Sequence, residues 1–149
     1  MKYKLSIYSI ILGMLIGLSV SAIFFILYIN HMEDMKNVKA TFQITEYSDL
    51  SSKIYKTGEL NSTKIILNFL KDKIKHYKNE VVTEDSTKSH LKTDLGLTHA
   101  RLFLIYKKAG QEDLAKKEYN KAKNILLKKG YNIKSKDDLI NLIQNIDQS

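Results

Sequence analysis

The sequence has no cysteine, no proline and no tryptophan, and Arg101 is the only arginine among its 24 basic residues. Without Cys there is no disulfide, no thiolate nucleophile and no Cys-ligated zinc. Without Pro the strongest breaker of helix interiors is missing, and a composition rich in Lys, Leu, Ile and Asn favours a helical domain. The six glycines are scattered. They form no Gly-rich phosphate loop, no P-loop and no Ser nucleophile elbow. Phosphate and nucleic-acid sites lean on the bidentate fork of Arg. Here the net charge of +8 is carried by Lys interspersed with acids, as on a solvated face. No nucleic-acid partner is expected. Attraction to anionic lipid or cell-wall polymer through Lys-rich helix faces is the alternative function kept open.

Charge itself is missing from Leu5 to Asn30, LSIYSIILGMLIGLSVSAIFFILYIN. As a helix this run is about 39 Å long, enough to cross the roughly 30 Å of bilayer hydrocarbon. A lone span must satisfy its backbone internally, so it is expected to be a helix. Tyr3 and Tyr28 mark its interfacial ends. A cleaved signal peptide is the competing reading. Ser19-Val20-Ser21-Ala22 offers small residues for cleavage, but Ile23-Phe24-Phe25-Ile26-Leu27 carries the apolar run past them. Within the span, Ser9, Gly13, Gly17 and Ser21 recur every four residues. Such a stripe lets two helix backbones approach closely in lipid, so it is the expected membrane-helix packing face.

Lys2, Lys4 and the amino terminus crowd the near side of the span, whereas His31, Glu33, Asp34, Lys36 and Lys39 on the far side are mixed in sign. The positive-inside rule then predicts a cytoplasmic N-terminus and an extracytoplasmic domain. The Lys/Asn/Ile bias resembles that of AT-rich bacterial genomes. The expected location is therefore a bacterial inner membrane, with a periplasmic or extracytoplasmic domain.

The chain divides into a tail (1–4), the span (5–30), a juxtamembrane helix or linker (31–45) and a helical domain (46–149). Met32, Met35, Val38 and Phe42 form one stripe, expected to meet the domain. A helix to Thr57 carries Tyr47, Leu50 and Ile54 inward and is capped by Gly58. A second, 61–77, buries Ile66, Leu67, Leu70, Ile74 and Tyr77. Glu80 to Ser89 reads as a polar connection whose Ser or Thr caps the next helix. That helix, about His90 to Ala109, is apolar nearly all round and is expected at the centre. Gly110 ends it. Gln111–Lys129 then buries Leu114, Ala115, Tyr119, Ala122, Ile125 and Leu126, and Gly130 ends that helix. Ser135-Lys136-Asp137-Asp138 resembles a capping box opening the last helix.

Two segments echo each other 52 residues apart: Ile54-Tyr55-Lys56-Thr57-Gly58 and Ile105-Tyr106-Lys107-Lys108-Ala109-Gly110. The second lies within a hairpin, about residues 96–129, that resembles a tetratricopeptide repeat. Leu102, Phe103 and Tyr106 stand at its first-helix packing positions, Gly110 at its turn, and Ala115, Tyr119 and Ala122 at the small–aromatic–small positions of its second helix. Leu127 replaces the usual closing Pro. The hairpin at 44–77 keeps only Gly58 and the apolar pattern, with Thr63 and Leu67 in place of Ala and an aromatic. The resemblance implies an all-α, TPR-like hairpin domain that binds a protein partner on a face comprising Leu97, Ala100, Leu104, Lys107 and Lys108. An ordinary five-helix bundle is the alternative.

For chemistry, only His90, Asp94 and His99 form a metal-like grouping, and they match no zincin pattern. Glu84-Asp85 and Asp137-Asp138 read as helix-start charges. No catalytic, cofactor or metal site is expected. The sequence therefore reads as a single-pass, membrane-anchored helical adaptor for a membrane or envelope protein.

Overall fold

A computed structural model describes residues 7–57 and 59–148. Lys2, Tyr3, Lys4 and Gly58 lie outside the described residues, as do the side chains of Ser9 and Ile54. The described residues are all-helical. Among them five α-helices follow in order: α1 (Ile7–Thr57), α2 (Leu60–His76), α3 (Asp85–Lys108), α4 (Glu112–Leu127) and α5 (Lys136–Gln148), with a π-helical turn at Tyr77–Val81 between α2 and α3. Two compact units divide the chain, one ending at Lys36 and the other covering Asn37–Ser149.

Helix α1, which begins in the first unit and continues into the second, is long and apolar enough by length and composition to cross a membrane. The candidate span is Leu12–Leu50, and its most apolar window is entirely unburied.

The second unit begins with the later turns of α1. Asn37, Ala40, Ile44 and Tyr47 turn inward at helical spacing. The expected stripe is thereby corrected, since Val38 is 65 % and Phe42 64 % exposed. Met32 and Met35 of the first unit are exposed as well. The reason is close approach and hydrogen bonding. Ala40 is small enough to pack tightly with Ile44 against Val82 and Leu91. Asn37 Oδ1 accepts from the Thr83 backbone N–H at 3.2 Å, satisfying a loop donor that Met or Val would leave unpaired. Leu50, also expected inside, is exposed, whereas Tyr47 is half-buried with its ring edge-on to Phe69 at 5.4 Å.

Helix α2 buries Thr63, Leu67, Leu70 and Ile74 on one side. The π-turn closes with Val82 N–H donating to Tyr77 O at 2.8 Å, which drops Val82 into the core. Helix α3 opens at Asp85, five residues before the expected start. No Ser or Thr caps it. Glu84 is the N-cap, and the first-turn hydroxyls of Ser86 and Thr87 donate to its carboxylate, which holds its pKa below the usual range.

As its composition predicts, α3 is the central helix: Leu91, Leu95, Gly96 and every residue from Thr98 to Tyr106 are buried. Leu102, Phe103 and Ile105 join Ala115, Ala122 and Leu126 of α4 and Leu139 and Ile143 of α5 in the larger core cluster. Ala115 and Ala122 are fully buried, and Tyr119 is tilted against Phe103 at 5.5 Å. Leu114 turns to solvent instead. Helices α3 and α4 approach closely at Gly96, where a Cβ would come within 2.8 Å of Leu126 Cδ2.

Among the described residues two glycines end helices in the left-handed region, Gly110 (φ 69°) and Gly130 (φ 86°). Each completes a Schellman motif. Gln111 N–H donates to Tyr106 O and Gly110 N–H to Lys107 O; Tyr131 N–H donates to Leu126 O and Gly130 N–H to Leu127 O. The capping box forms as expected. Asp138 N–H donates to Ser135 Oγ at 3.1 Å, and Asp138 Oδ2 accepts from the Ser135 and Lys134 backbone N–H groups. Those bonds keep the Asp138 carboxyl below its ordinary pKa.

Candidate partner-binding groove

Between α3 and α5 a groove of about 370 Å³ opens in the second unit, lined by Tyr55, Leu104, Lys107, Lys108, Ile140 and Gln144. Leu104 and Ile140 supply an aliphatic floor. Tyr55, from the end of α1, forms an aromatic wall, and Lys108 Nζ sits over its ring at 5.4 Å. Lys107 and Lys108 are exposed at the rim, and Gln144 adds an amide donor and acceptor.

Three of the five residues read as a partner face, Leu104, Lys107 and Lys108, line this groove. Ala100 is fully buried in the larger core cluster, and Leu97 is half-buried against that cluster. Neither lines the groove. Tyr55, Ile140 and Gln144 complete the surface. They escaped sequence reasoning because they come from helices far apart in the chain. Tyr55 alone carried a signal, as the counterpart of Tyr106 in the two IYK segments.

Charges within the core fix the helices that frame the groove. Arg101 shares a helix face with Leu104 and Lys108, and Asp147 shares one with Ile140 and Gln144. Arg101 Nη2 donates to Asp147 Oδ1 at 2.6 Å, and both side chains are under a tenth exposed. Ser52 Oγ of α1 reaches the same oxygen at 3.4 Å, so one carboxylate ties α1, α3 and α5. Burial, then the Asp147 charge, raises the Tyr55 pKa, with Arg101 opposing.

A second buried pair joins α3 to α4. His99 Nδ1 meets Glu118 Oε2, and Lys121 Nζ reaches the other Glu118 oxygen at 3.0 Å. Burial would raise the Glu118 pKa, but the hydrogen bonds from His99 and Lys121 outweigh it and hold the pKa at about 2.

The metal-like grouping does not converge. His99 is engaged with Glu118, whereas His90 and Asp94 line a small crevice with Thr41, Ile44, Thr45, Thr87 and Leu91. Burial raises the Asp94 pKa against the His90 and Arg101 charges. Among the described residues no group of three His, Asp or Glu is arranged to hold a metal. In the first unit, a Cβ added at Gly13 or Gly17 would meet nothing within 4 Å, and Ser21 is exposed, so these three positions of the stripe are open. Ser19 Oγ bonds back to Leu15 O at 2.9 Å, which satisfies the hydroxyl inside its own helix.

No protein-family model, curated protein or solved structure matches this chain.

Proposed function

We propose that this chain is a single-pass, membrane-anchored helical adaptor whose TPR-like domain binds a segment of a membrane or envelope protein, without catalysis. The groove carries the reading. Its apolar floor, aromatic wall and cationic rim suit a segment with apolar anchors and acidic flanks. Support for the TPR-like assignment comes from the buried Ala115 and Ala122, the Phe103–Tyr119 contact and the turn at Gly110. Support for the anchor comes from the long apolar α1. In this reading the N-terminus is cytoplasmic, the domain extracytoplasmic at a bacterial inner membrane, and Ser9, Gly13, Gly17 and Ser21 pack on a second membrane helix.

The test is affinity capture of the tagged full chain from solubilised membranes. Wild type is expected to retain a stoichiometric protein. Tyr55→Ala and the charge reversal Lys107→Glu with Lys108→Glu are expected to lose it while keeping the helical circular dichroism spectrum. A partner retained by both variants, or recovery of none by wild type, refutes the groove. A reporter active only outside the cytoplasm, fused after Ser149, is expected to be active; silence with good expression reverses the topology.

A further inference from the structure

We propose that Lys78, Lys92, Lys128 and Lys129 form a binding site for the phosphate-bearing headgroup of an anionic phospholipid. The proposal rests on the membrane-anchor reading but not on the protein-binding groove. With Leu95 and Ile125 these lysines line a pocket of about 360 Å³. They converge from three elements: Lys78 from the π-turn, Lys92 from α3, and Lys128 and Lys129 from the C-terminal cap of α4. Among the described residues no carboxylate lines the pocket. Among the described residues none of the four has an Asp or Glu within ion-pair distance, whereas Lys121 pairs with Glu118. Only Lys129 has a side-chain acceptor, the Ser89 hydroxyl.

Four lysines lining one pocket concentrate positive charge there, and an anion bound among them would offset it. The negative end of the α4 dipole explains two lysines at its C-terminus. It does not explain Lys78 and Lys92, which belong to other elements. The floor narrows the choice of anion. Leu95 and Ile125 offer nothing to free phosphate, but they suit the glycerol and acyl carbons beneath a lipid headgroup. Leu95 belongs to the smaller core cluster, with Ala40 and Ile44 of α1, and Ile125 packs against it. Ala40 lies ten residues after Asn30 in sequence. The site is thus joined to the membrane anchor by a short run of chain.

The test places the full chain in nanodiscs of phosphatidylcholine alone, or of an equal mixture with phosphatidylglycerol. Brief amine acetylation and peptide mass spectrometry then give a rate for each lysine. The four pocket lysines are expected to slow by about fivefold in the anionic discs, the factor that one cation gains beside an anionic surface. The exposed Lys53, Lys116 and Lys117 are expected to change little. Inorganic phosphate added to phosphatidylcholine discs is expected to protect none. Lys92→Gln with Lys128→Gln is expected to abolish the protection of Lys78 and Lys129, with the helical spectrum unchanged.

Uniform slowing of all lysines would replace the site with a diffuse field and overturn the proposal. Protection by inorganic phosphate alone would make it a free-phosphate site and overturn the lipid assignment. Absence of protection would refute it outright. Co-elution with the discs reads the anchor separately; its failure would overturn the anchor and this proposal together.

Discussion

Removing Asp147 is expected to strip the domain of a large part of its stability, although the residue lies near the end of the last helix. Among the described residues its carboxylate is the one acceptor that Arg101 Nη2 has, at 2.6 Å, and both side chains are buried. Asp147→Ala would leave a guanidinium unpaired in the core, a loss of roughly 3–5 kcal/mol. Domains of this size have about 5–15 kcal/mol in all. At about 4–8 °C per kcal/mol, the midpoint should fall by at least about 12 °C. The pair as a whole should matter far less than either half. Arg101 Nε and Asp147 Oδ2 are buried without a hydrogen-bond partner among the described residues, so the ions are incompletely satisfied. Arg101→Met with Asp147→Leu should therefore unfold within about 1 kcal/mol of wild type, or above it. The assay is denaturant unfolding of the full chain in non-ionic detergent, followed by circular dichroism, for the two singles and the double. Additive losses, or an Asp147→Ala loss under about 1 kcal/mol, would refute the buried pair as the clamp between α3 and α5.

Other parts of the molecule give further expected outcomes. The Glu118 pKa is depressed from 4.5 to about 2 in the folded state. Its contribution is thus fully present above about pH 4.5 and is lost as the pH falls towards 2. Glu118→Gln should flatten the pH dependence of unfolding in that window; an unchanged slope refutes the pairing with His99. Gly13→Leu with Gly17→Leu should leave membrane insertion intact and weaken in-membrane crosslinking of the span. Unchanged crosslinking reduces the span to an anchor.

Much of this architecture was legible in the sequence because each element carries its own signal. The uncharged run marks the first half of α1, the apolar circumference marks α3 as central, Gly110 and Gly130 mark Schellman turns, and Ser135 with Asp138 forms the capping box. What was not legible depends on partners distant in the chain. Val38 and Phe42 are more hydrophobic than Asn37 and Ala40, yet α1 turns the latter inward. The reason is the loop N–H of Thr83 and the space beside Val82, which no local pattern shows. The π-turn shifts the start of α3 to Asp85 for the same kind of reason, the burial of Val82.

The charge pairs did leave a trace. His99 and Arg101 interrupt an apolar helix, Glu118 sits between Ala115 and Ala122, and Asp147 continues the Leu139–Ile143 face. A charge on an apolar face needs a buried partner, so two such bases and two such acids point to pairing. Geometry was needed to say which base meets which acid. The groove was half legible, with Leu104, Lys107 and Lys108 on α3 and the opposite wall supplied by α1 and α5.

The most direct test of a membrane-anchored partner-binding groove is photo-crosslinking in intact membranes from single positions. A photoreactive residue at Lys108, on the groove rim, is expected to yield one discrete adduct that the Tyr55→Ala change abolishes. The same residue at Lys117, exposed on α4 and outside the groove, is expected to yield none. The same adduct from both positions, or none from Lys108 in a well-expressed and inserted protein, would contradict the account.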